Sequence, residues 1–404
     1  MSTTNESIRD LRRKLSRRVV EYAKNGRTAV ASSVRHEDIA FFLDPELYAR
    51  EYRKFFREAP LVACLSNELP EPGTYRIFDD TGVPILVTRG KDGKARAFLN
   101  ICRHRGARIV RNECGKASRF TCRFHGWTYD TAGKAVGIPE EDQFCGHIDA
   151  EKHLVSVPAE ERHGLVFVQT TPNSIMDLDA HLGEFGQELE TLNLQQAIPV
   201  LRDEVNIPSN WKYTLDTYFE TYHLRSLHGV TFGDLFSSLC VFETWGPHHR
   251  YTFSPSTIYD WVNMPEVDWP VDSLPLQYFI FPHTVLSIGS VSPSGSTITV
   301  HRMFPKSVGE LTTKIALCAI QGVRSPEHLA EIEASFAKIM HATREEDYSV
   351  TGESYLALSA LPANTRFPVG RQEIGVQNFH RNVQTHLGQD RSMRPVTHEE
   401  RHHV

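Results

Sequence analysis

The sequence predicts an α+β chain, with a small all-β domain near the N-terminus and a larger domain in which strands are followed by a long helix. Three observations carry this. The 404 residues suffice for two or three compact cores. Between about 55 and 172, short β-rich runs alternate with turn signals. Beyond 176, helical and strand-like stretches mix, and the strands give way to a helix.

Taken in order, residues 1–50 read as a charged helical segment, with Asp44-Pro45-Glu46 marking a helix start. Residues 51–174 hold the β-rich runs Leu61–Ala63, Thr74–Ile77, Pro84–Thr88, Ala97–Leu99, Arg119–Cys122 and Leu165–Gln169. Pro72-Gly73, Asp79 to Gly82 and Gly90 to Gly93 supply turns between them, and Pro172-Asn173-Ser174 reads as a linker. In residues 175–404, Met176 to Leu192 and Asn210 to Leu227 read as helices. Gln277–Phe281, Thr284–Ile288, Ser296–Arg302 and Thr312–Ala319 read as strands. Ser325-Pro326 opens a helix whose buried face is Leu329, Ile332, Phe336, Ile339 and Met340.

Hydrophobic residues make up 40% and charged residues 23%, as in an ordinary globular chain. The net charge of −6 gives no basis for binding nucleic acid or an anionic membrane. The longest apolar run, Leu274 to Val291, is interrupted by Pro282, His283 and Ser287 and does not read as a membrane span. The basic cluster from Arg9 to Arg18 is interrupted by acids (Glu6, Asp10, Glu21), so it reads as a solvated helix face rather than an organellar presequence. Seven sparsely spaced cysteines fit a reducing cytoplasm better than a disulfide framework.

The sharpest motif is Cys102-Arg103-His104, followed after seventeen residues by Cys122-Arg123-Phe124-His125. Each half brings one thiolate and one imidazole, and two Cys on one iron with two His on the other is the Rieske arrangement of a 2Fe–2S cluster. Gly106 and Gly126 stand just after the ligand pairs, where each loop must fold closely. A Cys2His2 zinc site usually groups like ligands together, whereas here they alternate.

A second stretch runs from Asn210 through Glu220 and His223 to His228. Histidines five apart on an ideal helix point about 140° apart. They converge on one ion only if the helix ends or takes a π-type turn between them. Two histidines with one carboxylate form the facial triad that leaves open positions on ferrous iron. The charged run Glu345-Glu346-Asp347, after the helix that starts at Ser325, offers candidate carboxylates, though such a run also fits a solvated face.

The stretches Phe98 to Ala107, Cys122 to Asp130 and Asn210 to His228 resemble the Rieske non-haem iron oxygenases, the α-subunits of ring-hydroxylating oxygenases. The resemblance runs from about Ala40 to Leu387. It implies an N-terminal Rieske domain and a C-terminal helix-grip catalytic domain, a curved antiparallel sheet with a long helix. It implies cluster ligands Cys102, His104, Cys122 and His125, and mononuclear Fe(II) on His223, His228 and Asp347. Glu220 would link His223 to His125 of a neighbouring subunit, and Asp216 stands where many relatives have Asn. A Glu at this place also occurs in relatives acting on quaternary ammonium compounds. The family commonly has a Glu five residues after the third ligand; here Gly352 stands there and Glu353 follows.

The implied activity is hydroxylation, mono- or dioxygenating, of an aromatic or related cyclic compound with O2. Electrons would come from NAD(P)H only indirectly, through a separate reductase and possibly a ferredoxin, since no nucleotide-binding Gly-rich fingerprint is present. Relatives are usually trimers, some with a small β-subunit. Hydroxylation or demethylation of a quaternary ammonium or N/O-methyl substrate is an alternative within the family. An electron-transfer or redox-sensing Rieske protein without a second iron is the alternative from another class. Tyr213, Tyr218, Tyr222, Phe232 and Trp245 are candidate pocket aromatics, although most aromatics at such positions are core residues.

Overall fold

The computed structural model describes residues 8–149, 151–229, 231–232, 235–289 and 297–388. Glu6, Val291 and Ser296, used above, lie outside the described residues, as do the two ends of the chain. The chain forms two compact units. One comprises Arg53–Leu182 and Asn193–Ile198; the other comprises the chain up to Tyr52, Gly183–Leu192 and everything from Pro199. Among the described residues, no helix is long and apolar enough to cross a membrane.

The smaller unit is almost all β. A five-stranded sheet runs in the order Ser156–Val157, Ala95–Leu99, Ile85–Arg89, Thr74–Phe78, Cys114–Lys116. Three-stranded sheets are formed by Ala159–Arg162, Leu165–Val168 and Leu61–Leu65, and by Arg119–Thr121, Thr128–Asp130 and Ala135–Gly137. Every expected strand here is present, with ends shifted by one or two residues, the usual uncertainty of strand limits.

The larger unit carries a seven-stranded sheet. In chain order its strands are β1 (Ala197–Ile207), β2 (Phe236–Trp245), β3 (His248–Pro255), β4 (Leu276–Ile280), β5 (Thr284–Ile288), β6 (Thr297–Ser307) and β7 (Glu310–Ile320). Their spatial order is β1-β7-β6-β5-β4-β3-β2, and β2 through β7 pair antiparallel, each with the next in the chain. The helix Pro326–His341 starts as expected, with the Ser325 side chain accepting from the His328 amide. Ile332 and Ile339 pack on Leu317 and Ala319 of β7, with Phe336 partly buried beside them. This sheet and helix fulfil the α+β, helix-grip expectation.

Three expectations need correction. Met176 to Leu192 is two short helices, Leu178–Leu182 and Phe185–Thr191, because Gly183 takes φ +50 between them. Asn210 to Leu227 is also not continuous: helix Trp211–Asp216 ends in tight turns, and helix Leu224–Leu227 follows separately. The segment before residue 50 is helical over Ile8–Asn25, then forms the strand Arg35–Asp38 before Asp44 caps the helix Pro45–Glu51. Its basic cluster is not simply solvated either. Arg12 is buried, and Arg17 and Arg9 reach Glu266 and Asp272 at 2.7 and 3.5 Å.

Asn210-Trp211-Lys212 owes its pattern to packing. Asn210 caps the helix by accepting from the Lys212 amide at 3.0 Å. Lys212, fully buried, donates to both carboxylate oxygens of buried Glu51 at 2.6 and 2.7 Å, and the Trp211 indole donates to the same carboxylate at 2.9 Å. A buried charge persists only when paired and hydrogen-bonded in this way.

Candidate metal centres

In the β unit, the two Cys-His loops are near copies. In each, the glycine four residues after the cysteine takes positive φ (Gly106 +70, Gly126 +74) and donates its amide to the cysteine carbonyl, at 3.0 and 2.9 Å. The cysteine amide closes each loop onto the next residue's carbonyl, Ala107 or Trp127, at 2.8 Å. Asn100, wholly buried, clamps the first loop through Val110, donating to its carbonyl at 2.7 Å and accepting from its amide at 2.9 Å.

The loops sort their ligands by depth. Cys102 and Cys122 are buried in the core, with Tyr129 hydroxyl 3.3 Å from the Cys102 sulfur. His104 is half-buried and His125 exposed. Their Nδ1 atoms face each other at 3.1 Å, while His104 stacks on Trp127 and His125 on Phe124. Two thiols inside and two imidazole nitrogens converging outside fit a cluster with an inner Cys-bound iron and an outer His-bound iron.

In the larger unit, His223 and His228 flank the four-residue helix Leu224–Leu227, and their rings lie 5.1 Å apart. Contrary to expectation, the chain between them is one unbroken helical turn, with Leu227 donating to the His223 carbonyl and His228 to that of Leu224, and the break falls before His223. A π-helical turn lies elsewhere. It spans Ala342–Asp347 and swings Asp347 toward both imidazoles. Asp347 Oδ1 lies 3.6 Å from His223 Nε2 and 3.2 Å from His228 Nε2. The three ligand atoms all fall within 4.8 Å of one another. Oδ1 is buried and has no hydrogen-bond partner among the described residues, as befits an atom reserved for a metal. Two neutral imidazoles and a carboxylate suit ferrous iron with open positions.

The other imidazole nitrogens are held by two acids. Glu220 bonds His223 Nδ1, and its second oxygen accepts from the Tyr222 amide and, at 3.1 Å, from the His223 amide. Glu346 lies 2.6 Å from His228 Nδ1 and accepts from the Thr231 hydroxyl at 2.7 Å. Burial raises the Glu346 pKa, but His228 and Thr231 outweigh it and hold the group below the usual carboxylate range. Both acids keep the proton on Nδ1 and leave Nε2 free for metal.

The irregular segment that carries Glu220 is pinned from the sheet. Tyr251 donates to the Phe219 carbonyl at 2.8 Å and accepts from the Gly375 amide at 2.9 Å. A Cβ on Gly375 would come within 2.6 Å of that carbonyl, so only glycine fits. The Gln277 side chain donates to the Tyr218 carbonyl.

His223, His228, Asp347 and Glu220 line a cavity of about 820 Å³, counting its open mouth, within the usual range of ligand sites. Phe232, Phe236, Phe253, Leu276 and Ile339 supply much of its apolar wall. Of the expected aromatics, Tyr218 and Phe232 line it. Tyr213 instead packs on Phe42 and Tyr355, Trp245 lies by Phe185 and Arg250, and Tyr222 is exposed. His301, which the motifs did not single out, lines the cavity; burial depresses its pKa to about 3. Asp216 does not reach the triad. It pairs with His380 Nε2 at 2.9 Å, and His380 Nδ1 lies 3.3 Å from Glu37.

Two family models match the chain: the Rieske [2Fe-2S] domain over residues 59–159, and the ring hydroxylating alpha subunit (catalytic domain) over residues 194–389. Benzene 1,2-dioxygenase subunit alpha of Pseudomonas putida is 32% identical over 216 residues, covering 50% of this chain and 48% of that one. Biphenyl 2,3-dioxygenase subunit alpha of Rhodococcus jostii is 34% identical over 193 residues, covering 46% of this chain and 42% of that one. The chain spans about half the length of the curated relatives it matches. Among solved structures, the quaternary ammonium Rieske monooxygenase CntA with L-carnitine superposes with TM-score 0.74 at 19% identity, covering 89% of this chain and 96% of that one. Naphthalene 1,2-dioxygenase from Rhodococcus sp. superposes with TM-score 0.69 at 17% identity, covering 94% and 99%. At these identities the superpositions speak for the fold.

Proposed function

The chain belongs to the Rieske oxygenase α-subunits of the ring-hydroxylating family, and from that premise we propose that it is a terminal oxygenase that hydroxylates an aromatic or related cyclic compound with O2. The observation that carries this reading is the convergence of His223, His228 and Asp347 on the wall of a largely apolar cavity. An electron carrier without a second metal has no use for such a site.

In this reading Cys102, His104, Cys122 and His125 hold the 2Fe–2S cluster, and His223, His228 and Asp347 hold the mononuclear iron. When bound, the iron supplies open positions for activating O2, and the cluster supplies electrons one at a time. The protein's part is positional. Glu220 and Glu346 hold protons at Nδ1 of His223 and His228 and so fix both rings. The phenylalanine wall excludes water and presents the ring to the reacting side. Glu220 also stands ready to accept a hydrogen bond from His125 of a neighbouring subunit, which makes a homotrimer the working unit, with or without a β-subunit. A separate NAD(P)H-dependent reductase, with or without a ferredoxin, delivers the electrons. The sparse spacing of the seven cysteines, two of them assigned to the cluster, agrees with a cytoplasmic setting.

Mild chelation tests the reading. Loss of one labile iron per chain, with turnover lost and cluster colour kept, is expected. A protein holding only two tightly bound irons per chain overturns it. His223→Ala should keep the cluster spectrum and lose turnover.

A further inference from the structure

The cavity is not uniformly apolar. On three adjacent strands, Gln277 of β4, Ser287 of β5 and Thr299 of β6 stand directly opposite one another, Gln277 across from Ser287 and Ser287 across from Thr299. Side chains in such register share one face of the sheet. All three line the cavity, and so does His301, two residues beyond Thr299 and hence on the same face.

The ladder is only partly satisfied from within. Gln277 spends its amide on the Tyr218 carbonyl and accepts from the Ser287 hydroxyl at 3.4 Å. The Ser287 oxygen keeps its lone pairs. Thr299 lines the same cavity and is only 3% exposed, so its hydroxyl is shielded from bulk water. His301 has Nδ1 3.1 Å from the Tyr218 hydroxyl, which leaves Nε2 as its other polar atom. Burial holds this imidazole neutral. Polar groups left unpaired in an otherwise apolar cavity cost stability unless water or a ligand completes them.

The cavity also lacks a countercharge for a charged ligand. Among the described residues, no Lys or Arg lines it. Its two acids, Glu220 and Asp347, face the histidines. Among the described residues, nothing there matches a carboxylate or sulfonate, and neither acid is left free for a cation.

Resting on the oxygenase reading, we propose that the Gln277–Ser287–Thr299 ladder with His301 selects a neutral ring compound bearing a hydrogen-bonding substituent, such as a hydroxyl, carbonyl or amide. The substituent docks on the sheet and the ring lies against the phenylalanine wall, which fixes the ring positions presented to the triad. Bare hydrocarbons leave the ladder unpaired, and charged rings lose their hydration without a partner.

The test is anaerobic calorimetric binding to the holoprotein, where no turnover occurs, with naphthalene, 1-naphthol, 1-naphthoate and phenyltrimethylammonium. 1-Naphthol should bind tightest, by about tenfold over naphthalene, the range of one or two neutral hydrogen bonds. In Thr299→Val, and separately in Ser287→Ala, the naphthol-to-naphthalene preference should fall about three- to tenfold. Equal binding of naphthol and naphthalene, tightest binding of either ion, or an unchanged preference in both variants overturns the proposal. Aerobic turnover with a reductase is scored separately. A binding preference without product formation sinks the oxygenase reading alone, and product formation without the preference sinks the ladder alone.

Discussion

Glu346 lies 2.6 Å from Nδ1 of His228, so each metal-facing imidazole has its own carboxylate behind it. The two acids come from different parts of the chain, Glu220 from the irregular stretch before His223 and Glu346 from the π-helical turn. Removing the support while sparing the ligands should loosen the metal. Glu346→Ala is expected to weaken iron retention about 10- to 100-fold in a chelator titration, with the cluster spectrum unchanged. Unaltered retention would show that Glu346 does not brace His228.

The run Glu345-Glu346-Asp347 offers three carboxylates for one place, and the proposed ligand is Asp347, whose carboxylate lies near both imidazoles. Asp347→Ala should therefore bind no mononuclear iron, while Glu345→Ala should keep its full complement. Metal analysis of both variants decides the matter; the reverse pattern refutes the assignment.

Glu220→Gln keeps an acceptor for His223 Nδ1 but removes the charge that would couple to the next subunit. Iron content should change little. Reoxidation of a pre-reduced cluster, mixed with O2 and substrate in stopped flow, should slow tenfold or more, within the range seen when such supporting carboxylates are altered. An unchanged rate would take Glu220 out of the electron path.

His380 links Glu37 to Asp216, and its protonation state matters for stability. Burial opposes its charge, but Asp216 and Glu37 outweigh burial and raise its pKa to about 9. The ordinary value is about 6.5. The pair's contribution is therefore complete below about pH 6.5 and is lost as pH rises through about 9. The melting temperature of the wild type should exceed that of His380→Asn at pH 6.5, and the gap should narrow by pH 9.5. A gap that widens with pH contradicts the charged imidazole.

The β unit was readable because its strands are short, alternate cleanly with turns and carry ligands at fixed loop positions. Gly106 and Gly126 needed only the observation that a tight loop follows each Cys-His pair. Strand β1 escaped notice because Arg202, Asp203 and Glu204 interrupt its apolar pattern, as befits an edge strand. The stretch after Asp216 looked helical because its apolar residues keep helical spacing. Its actual path depends on Tyr251, Gln277 and Gly375, distant residues that a local pattern does not reveal. The Gln277–Ser287–Thr299 ladder escaped for the same reason, since strand register is a tertiary fact. Glu346 was visible as a possible ligand, but its service to His228 depends on the π turn.

That turn also constrains how the chain can change. One residue more or less in a helix rotates everything beyond it by about 100°. Before Ala342, the helix faces β7 with Ile332 and Ile339; after Asp347, Tyr348 and Tyr355 are buried. The widened turn is the phase shift that lets one rod serve both faces and still aim an acid at the cavity. A single-residue deletion between 342 and 346 would restore ordinary winding and dismantle the proposed iron site with every candidate ligand still present. Length, as much as residue identity, is therefore under constraint in this segment.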